Sequence, residues 1–250
     1  MDKTQLLKNT EDKEERMFLS FIYDKIETSY KKSCPGFADF CSPSEAEKVK
    51  ALVSAFDGFS FVSKIKNSER LIPSVNSGYS KIPTDIIAVD ELSGDTASHR
   101  DVLGSLMSLG IKRCKVGDII ITDKVYFEVK NEITPYIISN LLKIKNRNVK
   151  PYIYEGELEK TFNFSEQTMT VSSLRADCVV GSIARLSREN AKEYIISGNL
   201  SVNSKAFDNP SKNLNESDVI SLRGYGKYIF SEVLGTTKKD RLKIIIKKYI

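Results

Sequence analysis

Between residues 173 and 227 the chain carries cations at the spacings that grip phosphate. Leu174-Arg175-Ala176-Asp177 is followed by Ser187-Arg188-Glu189-Asn190-Ala191-Lys192, then Gly198-Asn199-Leu200-Ser201-Val202-Asn203, then Arg223-Gly224-Tyr225-Gly226-Lys227. Ser187 is placed to cap a helix, so free N–H groups and the positive dipole end lie beside Arg188, with Lys192 one turn further on the same face. Such an arrangement binds anions. The candidate phosphate contacts are Arg175, Arg188, Lys192, Lys205, Arg223 and Lys227. Asp177 would orient Arg175 or the helix start, and Asn199 and Asn203 would shape the turn that follows.

The elements that must hold these residues form a small αα-plus-β unit. Leu174, Val179, Val180 and Ile183 predict a short amphipathic helix, and a second runs over Arg188–Ile196 with Gly198 as its left-handed stop. A hairpin is expected next: Leu200 and Val202 alternate into a core, the chain turns at Asn203-Ser204, and Val219, Ile220 and Leu222 alternate again. Residues 228–233 and 241–248 predict a further β-hairpin at a sheet edge. Lys238 and Lys239 in it join the candidate contacts, although edge lysines also block unwanted strand pairing.

The segment resembles the RNA-binding domain of small-subunit ribosomal protein S-four, pseudouridine synthases and tyrosyl-tRNA synthetases. Members of that family read Arg-Leu-Asp, Ser-Arg, Gly-x-Val-x-Val-Asn-Gly and Gly-Asp in this order. Here Ala176 stands for the leucine, Ser204 for the second turn glycine and Ser217 for the glycine before Asp218. Glycine supplies φ > 0 in such turns, so a less tightly specified hairpin is expected.

Charge follows the motif. From residue 171 onward there are 14 Lys and Arg against 8 Asp and Glu, a balance of +6, whereas the first 170 residues carry 24 against 25. That asymmetry locates a polyanion footprint in the last third of the chain.

Upstream, an α+β organisation is expected. Residues 1–75 read as a mainly helical domain: Phe18, Phe21, Ile22 and Ile26 share a face behind the acidic run from Glu11 to Glu15, and Ser42-Pro43-Ser44-Glu45 forms a capping box. Residues 76–158 give strand, helix, strand, strand, helix, strand at about 85–89, 98–109, 118–121, 125–129, 131–142 and 149–154, the ferredoxin-like split βαβ plan of RRM domains. In such a domain aromatics of the central strands stack bases. Phe127, with Val125 and Val129, reads as core, leaving Tyr126 as the candidate stacking residue. Residues 155–170, rich in Glu, Ser, Thr and Asn, read as a linker to the basic domain over 171–250.

Catalytic machinery is not expected. His99-Arg100-Asp101 matches a protein-kinase triplet, but the asparagine required five residues after the aspartate is Leu106. The triplet instead fits a helix start capped by Ser98, which puts Arg100 at an anion-favouring end and makes it a candidate RNA contact. His99 is the only histidine, and Cys34, Cys41, Cys114 and Cys178 show no Cys-x-x-Cys spacing, so no metal site, disulfide or cofactor is indicated. The chain lacks a long apolar run and a hydrophobic leader, so a cytoplasmic monomer away from membranes is expected.

A wider resemblance covers nearly the whole chain. Ser98 to Leu106, Leu109-Gly110-Ile111-Lys112-Arg113, Gly117-Asp118, and Glu232 to Lys239 are similar to the bacterial YlmH proteins, which carry the S-four-type domain at the same end. The resemblance implies a non-enzymatic, ribosome-associated factor that binds large-subunit rRNA and peptidyl-tRNA during rescue of stalled translation. Two other readings stay open: an rRNA-modifying enzyme or its accessory subunit, with Asp101 or Asp118 as the reactive carboxylate, and an interaction protein linked to cell division.

Overall fold

A computed structural model describes residues 12–78, 80–90 and 97–249, together with Lys3 and Leu7. Glu11, part of the acidic run, lies outside them. Contacts divide the chain into two compact units, residues 1–160 and 161–250.

The first unit opens with α1 (Lys13–Lys31), whose start is fixed by Asp12 accepting from the Glu14 N–H at 2.9 Å. Leu19, Ile22 and Ile26 are its buried face, while Phe21 is 50% exposed, so the apolar stripe is rotated from the expected one. β1 (Gly36–Phe37) leads to α2 (Pro43–Val53), which starts with the expected capping box between Ser42 and Glu45. The N-terminal part is less helical than expected, because β1, β2 (Ser60–Val62) and β4 (Ile72–Val75) form a sheet in the order β1-β4-β2. β2 lies within residues 59–65, which read as a strand in the sequence, whereas the two residues of β1 and the four of β4 give too little periodicity to be seen.

The middle elements are β5 (Thr84–Val89), α3 (His99–Ser108), β6 (Val116–Ile121), β7 (Val125–Lys130), α4 (Thr134–Asn140), a small hairpin of β8 (Lys143–Ile144) with β9 (Arg147–Asn148), and β10 (Pro151–Tyr154). The expected helix over 131–142 is shorter, its first turn being a 3-10 turn at Asn131–Ile133. The sheet runs β10-β5-β7-β6, each neighbour antiparallel, so each of two β-α-β units is split by a strand of the other. Val102 and Leu106 of α3 and Ile137 of α4 pack on one face, against Ile87, Val125, Phe127 and Val129. Phe127 is core, as its alternation predicts.

The second face corrects an expectation. β3 (Ile65–Lys66) and β11 (Leu158–Glu159) pair in parallel, and Ile65 and Leu158 pack with Ile86, Ala88, Tyr126 and Tyr154. Tyr126 is therefore only 9% exposed, with its ring 5.0 Å from that of Tyr154, and presents no open face for a base. Polar residues on this side are buried too, and each is satisfied. Glu128 accepts from Ser63, from the Lys64 N–H at 3.0 Å and from Thr84 Oγ1 at 2.7 Å. Asp118 accepts from Ser68 Oγ at 2.9 Å and from the Glu69 N–H at 2.6 Å. Lys130 donates to the Ala38 carbonyl at 3.0 Å, and burial pulls its ammonium down to about 8. Gly117 is required by close approach: a Cβ there would sit 2.7 Å from the buried Phe40 ring.

The second unit contains β12 (Phe164–Val171), α5 (Ala176–Ala184), α6 (Arg188–Ile196), β13 (Leu200–Val202), β14 (Lys205–Ala206), β15 (Val219–Leu222), β16 (Gly226–Thr236) and β17 (Leu242–Tyr249). One six-stranded sheet runs β12-β17-β16-β15-β13-β14. Two expectations change. The supposed linker contains β12, which pairs with β17 along its whole length; its polar sequence reflects an edge strand largely open to solvent. β17 is consequently an interior strand rather than part of the expected sheet edge. The Asn203-Ser204 turn also leads into β14 rather than directly into β15, which pairs with β13 on its other side. Ala176, Val179, Val180, Ala191, Leu222, Phe230 and Ile244 are among the residues of the core between sheet and helices.

The glycine substitutions leave a signature. Asn203 and Ser204 have φ of 50° and 62°, the both-positive pattern of a tight hairpin turn, and Ser217 has φ of 70°. Non-glycine residues are strained there by about 1–2 kcal/mol. Ser204→Gly and Ser217→Gly are each expected to raise the unfolding free energy by about 1 kcal/mol in urea titrations; variants no more stable than the parent would show that the serines carry no backbone strain.

Candidate nucleic-acid interface

Asp177 organises the basic motif. It lies in the first turn of α5 with its side chain 0% exposed, between Ala176 and Cys178. Arg175, at the helix N-cap, clasps it through one edge of its guanidinium, Nε to Oδ1 at 3.1 Å and Nη2 to Oδ2 at 2.9 Å. Arg188, first residue of α6, donates its Nε to Oδ2 at 3.2 Å. A single carboxylate thus joins the starts of two helices and orients both guanidinium groups. Burial by itself would raise the Asp177 pKa, but hydrogen bonds from Arg175, Arg188 and Cys178 outweigh it and hold the carboxyl well below the usual range. The same bond pushes Arg175 up. Asp177 therefore orients Arg175, as expected, and it holds Arg188 as well.

Local sequence explains the placement. Arg185 closes α5 in the left-handed conformation with φ of 55°, reversing the chain so that Ser187 can cap α6 by accepting from the Asn190 N–H at 3.2 Å. Ser187 is thus committed to the helix start. Lys192 follows on α6 and is exposed. At the far end of α6, Tyr194 Oη donates to the Arg223 carbonyl at 2.7 Å and its ring meets Tyr225 edge-on at 5.8 Å, fastening the helix to the turn that carries Arg223. Asn203 does shape its turn: Nδ2 donates to Asp218 at 2.8 Å and Oδ1 accepts from the Val219 N–H at 2.9 Å.

The other candidates are spread more widely. Lys205 is exposed on β14, and Lys238 and Lys239 are exposed in the turn between β16 and β17. Lys227 starts along β16 with its ammonium 4.8 Å from the centre of the Tyr249 ring. Arg100 is exposed in the first turn of α3, whose capping box joins Ser98 and Asp101 as expected. Arg100 and Tyr126 belong to the first unit, and Tyr126 is withdrawn from the interface by its burial. Ser211 was not anticipated: it accepts from Arg175 Nη2 at 2.7 Å, and it lies too far along the chain for spacing to reveal.

Comparisons with known proteins found a family model, a curated relative and a solved structure that are similar to parts of the chain. Residues 95–156 match the family model described as "Putative RNA-binding domain in YlmH". The Bacillus subtilis (strain 168) protein named "Ribosome-associated protein quality control protein P2" is 31% identical over 156 residues, which is 61% of this chain and 61% of that protein. The chain thus spans about three fifths of this curated relative. The solved structure titled "Cell division protein ylmH from Streptococcus pneumoniae" is 18% identical with a TM-score of 0.46, over 58% of this chain and 94% of that one. The family-model match lies wholly within the first unit and includes α3, β6, β7 and α4.

Replacing the central carboxylate should be felt in stability and in its pH dependence. Asp177→Asn is expected to cost about 2 kcal/mol, below the usual figure for breaking a buried pair because Arg188 is 58% exposed. With a folded pKa depressed below the ordinary value of about 3.9, the carboxylate stabilises fully above that value and progressively less as pH falls beneath it. Urea titrations should therefore show a gap between parent and Asp177→Asn that is wide at pH 6 and narrower at pH 3; a gap independent of pH would refute the ion-pair assignment.

Proposed function

We propose that this chain is a YlmH-family factor: a non-enzymatic, ribosome-associated RNA-binding protein whose C-terminal unit is an S-four-type domain. The observation that carries the reading is the pair of guanidinium groups fixed by buried Asp177 at the starts of two helices, with Lys192 and Arg223 on the adjoining helix and turn. Arginine forks held in place lose less freedom on meeting phosphate than free side chains do. The positive balance of the last 80 residues adds the long-range attraction that an RNA surface requires.

Two further supports concern the partner. The family description attached to residues 95–156 is an RNA-binding domain, and the Bacillus relative carries a name from ribosome-associated quality control. On this reading the targets are large-subunit rRNA and peptidyl-tRNA on stalled ribosomes, the working form is a monomer, and the location is the cytoplasm. No helix of the described residues is long and apolar enough to cross a membrane. The split βαβ sheet gives an RRM-like frame whose contribution comes through exposed Arg100 rather than through the buried Tyr126.

An rRNA-modifying enzyme is disfavoured by what its candidate carboxylates already do. Asp101 closes a capping box with Ser98, and Asp118 is 5% exposed, accepting from Ser68 and Glu69 with Lys160 at 3.3 Å. Asp118 therefore has no free face for a base or a ribose, and Asp101 is engaged at the helix start through Oδ2.

Lys192→Ala and Arg223→Ala are each expected to weaken binding to deproteinised large-subunit rRNA and to flatten the dependence of log K on log salt by roughly one unit. Filter binding across a salt series measures both. Unchanged affinity and slope in the two variants, together with failure of the parent to co-sediment with large subunits, would sink the reading.

A further inference from the structure

A cavity of about 260 Å3 in the second unit is bordered by the end of β12, α5, the start of α6 and the start of β17, and its lining includes Ser172, Asp177, Ser182, Arg188 and Arg241. Arg241 comes from the turn before β17, far in sequence from the motif that contains Arg188. Its Nη2 donates to the Thr170 carbonyl at 2.9 Å, which anchors the guanidinium at the cavity wall and leaves the rest of the fork without a hydrogen bond among the described residues. Arg188 is similar: its Nε is held by Asp177, and its two terminal nitrogens have no hydrogen bond among the described residues.

The hydroxyls of the same cavity are also poorly satisfied. Ser172 Oγ has Cys178 Sγ at 3.3 Å, and Ser182 Oγ has Met169 Sδ at 3.6 Å. Sulfur is a weak acceptor, so an oxyanion entering the cavity offers both hydroxyls a better partner. The charge balance admits an anion, because Arg188 and Arg241 face a single carboxylate that Arg175 also neutralises.

We propose that this cavity is a clamp for one phosphodiester group of the bound RNA, gripped by Arg188 and Arg241 together with Ser172 and Ser182 donating from the wall. The proposal deepens the RNA-binding reading and rests on it. It adds Arg241 to the interface as a residue that shares its phosphate with Arg188, in contrast to Lys192 and Arg223, which meet phosphates of their own.

Full-length Arg188→Ala, Arg241→Ala and the double variant are compared for binding to deproteinised large-subunit rRNA across a salt series. Arg241→Ala is expected to lose about tenfold in affinity, the loss of one charge-assisted contact, and to flatten the salt slope by about one unit. Because both residues hold the same phosphate, the double variant should also lose about one unit of slope, and less affinity than the two single losses combined. Arg241→Lys retains the charge without the fork; it should keep the parental slope with reduced affinity, and it carries the test if Arg241→Ala fails to fold. A double variant that loses two units of slope with additive losses would overturn the shared clamp. So would parental binding by Arg241→Ala while Arg188→Ala and Lys192→Ala are weakened, an outcome that leaves the RNA-binding reading intact. Parental affinity and slope in all of them would overturn that reading as well.

Discussion

The second unit depends on one buried carboxylate. Asp177 has no exposed side-chain surface, and such a group is tolerated only when its charge is matched and its lone pairs are occupied. Arg175 and Arg188 meet both conditions, and in doing so they fix the register between α5 and α6. Position and function are therefore coupled. The side chains that neutralise the aspartate are the same ones that the proposed function assigns to phosphate, so such an interface would need no separate scaffold.

The first unit uses buried polar groups differently. Glu128, Asp118 and Lys130 each bond to backbone or hydroxyl groups of the N-terminal part, and burial draws the Lys130 ammonium down to about 8. These bonds turn inward and consume the donors and acceptors of the groups that make them. Phe40 over Gly117 adds an apolar counterpart. Such groups pin the small β1-β4-β2 sheet and its helices to the split βαβ sheet.

Local signals in the sequence were faithful wherever a few residues determine the outcome. The capping boxes at Ser42 and Ser98, the cap at Ser187, the stop at Gly198 and the alternation that buries Phe127 all depend on neighbours within about four positions. Features set by distant partners were not legible. β12 has a polar sequence and becomes a strand because β17 pairs with it; Tyr126 loses its open face because Ile65 and Leu158, far apart in the chain, meet above it. For the site, the sequence identified the cations but not the depth of Asp177, since an aspartate between Ala176 and Cys178 is equally compatible with a solvated helix face.

Covering the second face of the split βαβ sheet changes the mode of recognition that the chain can support. An open sheet with aromatic residues reads bases by stacking, and that route is closed at Tyr126. On the proposed reading, what remains is a set of guanidinium and ammonium groups that would meet phosphates, placed by helix starts, tight turns and a shared carboxylate. Contacts of that kind position a protein on a folded backbone and carry little base identity. On that reading selectivity would come from the spacing of phosphates in a structured RNA, which a rigid frame can measure. The left-handed conformations at Ser204 and Ser217 are held by pairing, Ser204 between β13 and β14 and Ser217 through its N–H donating to the Phe230 carbonyl at 2.7 Å.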